Sequence, residues 1–134
     1  MMKPSFKKGF SIIELIFVIA VLGIIAAVAV PRLMDTRSSA IVSTVKQDIS
    51  TITTSIQSYY MINNKIDKIS DSVNINTTTW DVSDSIVQFI SDEKVCISIE
   101  IVSNQLNLII NNDSSTICEK IYESGIRDIT YELY

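Results

Sequence analysis

Residues 9–31 read GFSIIELIFVIAVLGIIAAVAVP, from Gly9 to Pro31. Between Phe10 and Val30 the side chains are apolar except for Ser11 and a single charge, Glu14. As an α-helix rising ~1.5 Å per residue this run is about 31 Å long, enough to cross the ~30 Å hydrocarbon core of a bilayer. A carboxylate one turn inside such a helix is costly. At the centre of an inserted helix an acid costs roughly 2.5–3.5 kcal/mol, and nearer the end somewhat less. Glu14 therefore calls for a functional account.

Working outward, Lys3, Lys7 and Lys8 precede the apolar run, and Arg32 and Arg37 follow it. A basic start followed by an apolar stretch is weighed as a targeting segment before it is weighed as fold. Three readings compete. A signal peptide removed by ordinary signal peptidase has Ala27-Val28-Ala29 as a cleavage site, but the run is longer than the usual apolar core and contains Glu14. A plain membrane anchor fits the lysines, which favour a cytoplasmic N-terminus and an exported remainder, although Arg32 and Arg37 weaken that asymmetry.

The third reading is a resemblance. Lys7-Lys8-Gly9-Phe10-Ser11-Ile12-Ile13-Glu14-Leu15, followed by the apolar helix and Pro31, resembles the N-terminus of type IV pilins and type II secretion pseudopilins. It covers residues 7 to about 37. The resemblance implies cleavage on the cytoplasmic side by a prepilin peptidase between Gly9 and Phe10, and N-methylation of Phe10 by the same enzyme. It implies that Glu14, fifth in the processed chain, pairs with the N-terminal amine of a neighbouring subunit. A lone carboxylate in a low-dielectric setting needs such a cation or tends to protonate, and a buried pair of this kind can set axial register at some cost in stability. Three segments follow: a cytoplasmic leader over 1–9, a transmembrane and filament-core helix over 10–30, and an exported head over 31–134. The implied partners are the peptidase and N-methyltransferase, identical or related pilin subunits, an inner-membrane assembly platform with its ATPase, and the lipid bilayer. The implied location is the bacterial inner membrane, crossed once, and then a periplasmic or extracellular filament.

Within the span, Gly23 and Ala27 form a small-xxx-small pair suited to close helix packing. Pro31 removes a backbone donor and reads either as a kink between anchor and head or as the end of the helix at the membrane surface. Beyond it, Ile41, Val45, Ile49, Ile52, Ile56 and Tyr59 recur in steps of three and four, one face of a helix running to about Ile62. Asn63-Asn64 is the stop signal. The fold class expected is α+β and pilin-like: a long N-terminal helix, hydrophobic in its first half, packed on a small C-terminal antiparallel sheet.

Residues 63–83 read as an irregular loop pinned by Trp80. Ser83 or Asp84 is a candidate cap for a short helix holding Ile86, Val87, Phe89 and Ile90, with a strand as the alternative. The sheet signal begins at Lys94. Val95, Ile97, Ile99 and Ile101 alternate with Cys96, Ser98 and Glu100, so Cys96 is expected on the face away from the helix. Ser103-Asn104-Gln105 is a turn candidate and Leu106 to Ile110 the returning strand. Thr116-Ile117-Cys118-Glu119 fits a capping box for a short helix that Gly125 ends. Ile129, Tyr131 and Leu133 alternate as a last strand.

Composition narrows the function. With 134 residues, about 100 remain beyond the membrane run, enough for one small domain. Beyond residue 38 six Lys or Arg face 13 Asp or Glu, a balance of −7 that argues against a charge-driven grip on nucleic acid or anionic lipid. There is no His, and only three glycines are present, so neither a triad nor a Gly-rich phosphate loop is available. No cofactor is implied and no metal site is expected. Asp71, Asp81, Asp84, Asp92 and Glu93 lack EF-hand spacing and read as a solvated acidic surface. An exported domain permits a Cys96–Cys118 disulfide, which the pilin resemblance also suggests, clamping the C-terminal segment over the outer face of the hairpin. Two reduced structural cysteines are the alternative. The function expected is a non-enzymatic filament subunit. A single-pass or secreted ligand-binding module that never polymerises is the other class.

Overall fold

The computed structural model describes Met2 and residues 8–133. Lys3 and Lys7, and with them most of the leader expected over 1–9, lie outside the described residues. The chain divides into two compact units, Met1–Arg37 and Ser38–Tyr134. Helix α1, Ile12–Asn63, begins in the first and ends in the second.

In the first unit α1 runs through Pro31 uninterrupted. The proline lacks an N–H, so the carbonyl four residues earlier loses its helical donor. Phe10, Ile13, Phe17 and Ile24 are each at least 70% exposed. Apolar surface on that scale is stabilised only by moving into lipid or against other apolar surface. Among the described residues α1 is the one helix long and apolar enough to cross a membrane.

The second unit is α+β. After α1 come α2 (Ile69–Ser72), β1 (Trp80–Val82), β2 (Ile86–Ser91), β3 (Lys94–Val102), β4 (Gln105–Ile110), α3 (Thr116–Glu123) and β5 (Ile129–Glu132). The strands form one antiparallel sheet in the order β1-β2-β3-β4-β5. From α1, Val42, Val45, Ile52 and Ile56 enter the core, with Ile41, Ile49 and Tyr60 packed partly against it. The stripe expected from the sequence is thus broadened by Val42 and ends on Tyr60 rather than Tyr59. Val87, Phe89, Ile97, Ile99, Leu106 and Leu108 are its sheet partners. Asn64 ends α1 at φ 55, in the left-handed conformation asparagine tolerates, with its N–H on the Tyr60 carbonyl at 2.7 Å.

Residues 86–90 form a strand rather than a helix, and the sheet begins at Trp80 rather than Lys94. Trp80 decides both. Its ring is 1% exposed, sits 5.4 Å from Phe89, and donates its indole N–H to Asp48 of α1 at 2.9 Å. A short local turn delivers it: Asn76 accepts Thr78 N–H on its side chain at 2.9 Å, and its carbonyl takes the N–H groups of Thr79 and Trp80. The β2–β3 and β3–β4 turns are two residues each, with positive φ at Asp92, Glu93, Ser103 and Asn104, the backbone that matches the twist of paired strands.

The expected placement of Cys96 is corrected. The β2–β3 register shifts between Phe89, opposite Ile97, and Ile90, opposite Val95, so Cys96 is the extra residue of a β-bulge. Alternation fails there: Cys96 and Ile97 are consecutive and both buried in the single core. Cys96 is bonded to Cys118, with Cα atoms 5.0 Å apart. The bridge therefore ties α3 into the core beside Ile121 rather than over the outer sheet face.

Candidate functional site at the start of the apolar helix

Lys8, Gly9 and Phe10 are exposed and precede the helix. Gly9 has open space where a Cβ would stand. Among the described residues, no contact requires glycine there. Ser11 is the helix boundary: its carbonyl accepts from Leu15 N–H at 3.2 Å. The Glu14 carboxylate turns back and accepts from Ser11 N–H at 3.1 Å. That contact is one arm of a capping box, S-x-x-E, and it places a negative charge in the first turn, where the unpaired N–H groups of a helix favour it. The acid is thus held at the head of the apolar helix, four residues beyond Phe10. The spacing Ser11 to Glu14 carried the signal for this bond; a reading of Glu14 only as a membrane charge passes over it.

Pro31 lies elsewhere, within α1, and Cys96 and Cys118 belong to the second unit. That unit holds polar contacts with no simple sequence signature. Lys46 Nζ donates to the Ser124 carbonyl at 2.8 Å, tying α1 to the end of α3. Arg127 stacks 3.8 Å over the Tyr122 ring, and Asp128 accepts from Ile110 N–H at 2.8 Å. Lys68 pairs with Asp84 at 3.0 Å. The cap of α3 is Ser115, whose side chain accepts from Cys118 N–H, rather than the expected Thr116. Gly125, at φ 103, follows the helix and closes it. Among the described residues no group of three or more His, Cys, Asp or Glu is arranged to hold a metal.

Residues 5–30 match the model of the prokaryotic N-terminal methylation motif. The chain carries a prepilin-type N-terminus. The type IV major fimbrial protein FimA of Dichelobacter nodosus is 34% identical over 64 residues, 48% of this chain and 40% of the relative. The type II secretion system core protein G of Pseudomonas aeruginosa is 37% identical over 57 residues, 42% of this chain and 40% of the relative. The fimbrial protein EcpB of Eikenella corrodens is 38% identical over 52 residues, 39% of this chain and 33% of the relative. The chain spans one third to two fifths of the length of these curated relatives. No solved structure matches it. The prepilin-type segment thus coincides with the exposed Gly9–Phe10 junction, the capped Glu14 and the membrane-length start of α1, and the long helix with a small antiparallel sheet is a pilin-like α+β arrangement.

Proposed function

We propose that this chain is a structural subunit, a pilin or pseudopilin, of a type IV pilus or a type II secretion pseudopilus. The observation that carries the reading is the methylation motif set on an exposed Gly9–Phe10 bond at the head of an apolar helix with one acid, Glu14. A prepilin peptidase cleaves after Gly9 and methylates the new amine of Phe10. Residues 1–9 are the leader, 10–30 the membrane and filament-core segment, and 31–134 the exported head. The subunit waits in the inner membrane, N-terminus cytoplasmic, until an assembly platform with its ATPase extracts it into a helical polymer. Release of the Phe10 α-ammonium provides Glu14 with a cation, and in the polymer that cation comes from a neighbouring subunit. The missing hydrogen bond at Pro31 makes that position a joint between core and head. The subunit catalyses nothing and needs no cofactor; it is the peptidase's substrate.

Mass analysis of the N-terminus tests the reading. N-methyl-Phe10 as the first residue supports it. A chain starting at Val30 means ordinary signal cleavage, and an intact leader means a plain anchor; either outcome removes the proposal. Deleting the gene and assaying twitching, DNA uptake and protein secretion in parallel separates a pilus from a secretion role.

A further inference from the structure

The disulfide has unequal surroundings. Ser115 caps α3 from an extended backbone, and its single hydroxyl serves Cys118 twice. The oxygen accepts from Cys118 N–H at 3.3 Å, and the hydroxyl donates to the Cys118 sulfur at 3.1 Å. The Cys96 sulfur lies farther off, at 3.8 Å. Cys118 is also the third residue of α3, an eight-residue helix, so its sulfur lies in the first turn, where free N–H groups favour negative charge. Cys96 belongs to the bulge of β3, and its sulfur shares this end of α3 only once α3 has docked and the bond to Cys118 is in place.

We propose that Cys118 is the sulfur that reacts first when this disulfide is made, with Ser115 as its positioning residue. In the reduced chain the Ser115 hydroxyl and the helix turn stabilise the Cys118 thiolate. That thiolate attacks one sulfur of an external disulfide donor. A Cys118–donor disulfide forms, and the donor's other sulfur leaves as a thiolate. The Cys96 thiolate then attacks the Cys118 sulfur, forming the internal bond and expelling the donor's second sulfur. In total the two cysteines lose two electrons and two protons, and the donor disulfide is reduced to two thiols. Ser115 and Cys118 are three residues apart, so one turn of chain forms their contact before α3 docks. Docking closes the site, since both cysteines end 1% exposed.

The test uses the full-length chain, reduced, in detergent, with oxidised glutathione as the donor. Cys96→Ser and Cys118→Ser leave one thiol each, and the adduct is followed by mass from about pH 5 to about pH 10, bracketing ordinary thiol ionisation. The pH midpoint reports ionisation of the thiol, whereas the absolute rate also carries the frequency of opening. The Cys118 midpoint is expected about one pH unit below that of Cys96, about tenfold more thiolate at neutral pH. Ser115→Ala should raise it towards the Cys96 value, and Ser115→Thr should leave it low. Ser115→Gly, tolerated at a helix cap, removes the donor without adding a charge and should raise the midpoint with the helix intact. In the two-cysteine chain the first glutathione adduct should map to Cys118. Equal midpoints, no effect of Ser115→Gly, or a first adduct on Cys96 would each overturn the proposal.

Discussion

Asp48→Ala removes the acceptor of the indole N–H of Trp80. The hydrogen bond is 2.9 Å long, and Trp80 is only 1% exposed, so the orphaned N–H has no ready route to water. Leaving a buried donor unpaired costs about 1–3 kcal/mol, and bonds to charged groups lie towards the upper half of that range. A loss of about 2 kcal/mol, at about 4–8 °C per kcal/mol for a head of this size, lowers Tm by about 8–16 °C. Trp80→Phe supplies the control, because the ring stays and the donor goes. In that background Asp48→Ala should cost no more than about 0.5 kcal/mol, since no buried N–H is orphaned, which makes the coupling about 1.5 kcal/mol. The assay is thermal unfolding of the full-length chain in detergent, disulfide intact, followed by near-ultraviolet circular dichroism of the tyrosines. Equal costs for Asp48→Ala in both backgrounds would refute the reasoning.

Other outcomes can be checked alongside it. Replacing both Cys96 and Cys118 by Ser should destabilise the head by about 3 kcal/mol on the chain-entropy account, read from urea unfolding; no change in the urea midpoint would count against the bridge as a stabiliser. Glu14→Leu should still insert and be cleaved after Gly9 but fail to assemble, and normal filaments in electron micrographs would end the register role. Lys68, through its hydrogen bond and then its charge, holds the Asp84 carboxyl below its ordinary range, with Ser70 adding to the effect. That contribution to folding is present above the ordinary carboxylate range and is lost as pH falls through the depressed folded value. The same contact raises Lys68, so on the alkaline side the contribution persists until pH rises through the raised lysine value. Both groups are exposed, so the effect is local and small. Amide exchange in Ile69–Ser72 should quicken at acid pH beyond its intrinsic pH dependence, and Asp84→Asn should do the same at neutral pH.

The elements that could be read from the chain are those whose side chains repeat. The α1 stripe from Ile41 to Ile56 and the alternation of Ile97, Ile99 and Ile101 follow from periods that burial on one face imposes. Cys96 shows where that logic stops. A single extra residue in β3 turns the next side chain to the same core, and nothing in Val95-Cys96-Ile97 announces it. The strand at Ile86–Ser91 was ambiguous for another reason: Ile-Val-Gln-Phe-Ile is too short and too apolar to separate the two periods. Its hydrogen bonds to β1 and β3 settle it. At the processing segment, the Gly9–Phe10 junction and Glu14 were plain as residue types. The Ser11–Glu14 contact depends on which N–H groups the first turn leaves unpaired, and so on where the helix starts.

Each strand of the head after β1 pairs with its predecessor in the chain. Pairings so close in sequence need little loop closure, and topologies of this kind fold quickly. As the chain emerges N-terminus first, the apolar stripe of α1 is present before any strand, and each new strand finds an edge already laid. β3 with Cys96 precedes α3 with Cys118, so the sulfur that arrives last finds its mate already fixed on the sheet. The order of the strands thus works as a timetable, in which the covalent lock closes only after the surface it secures has been built.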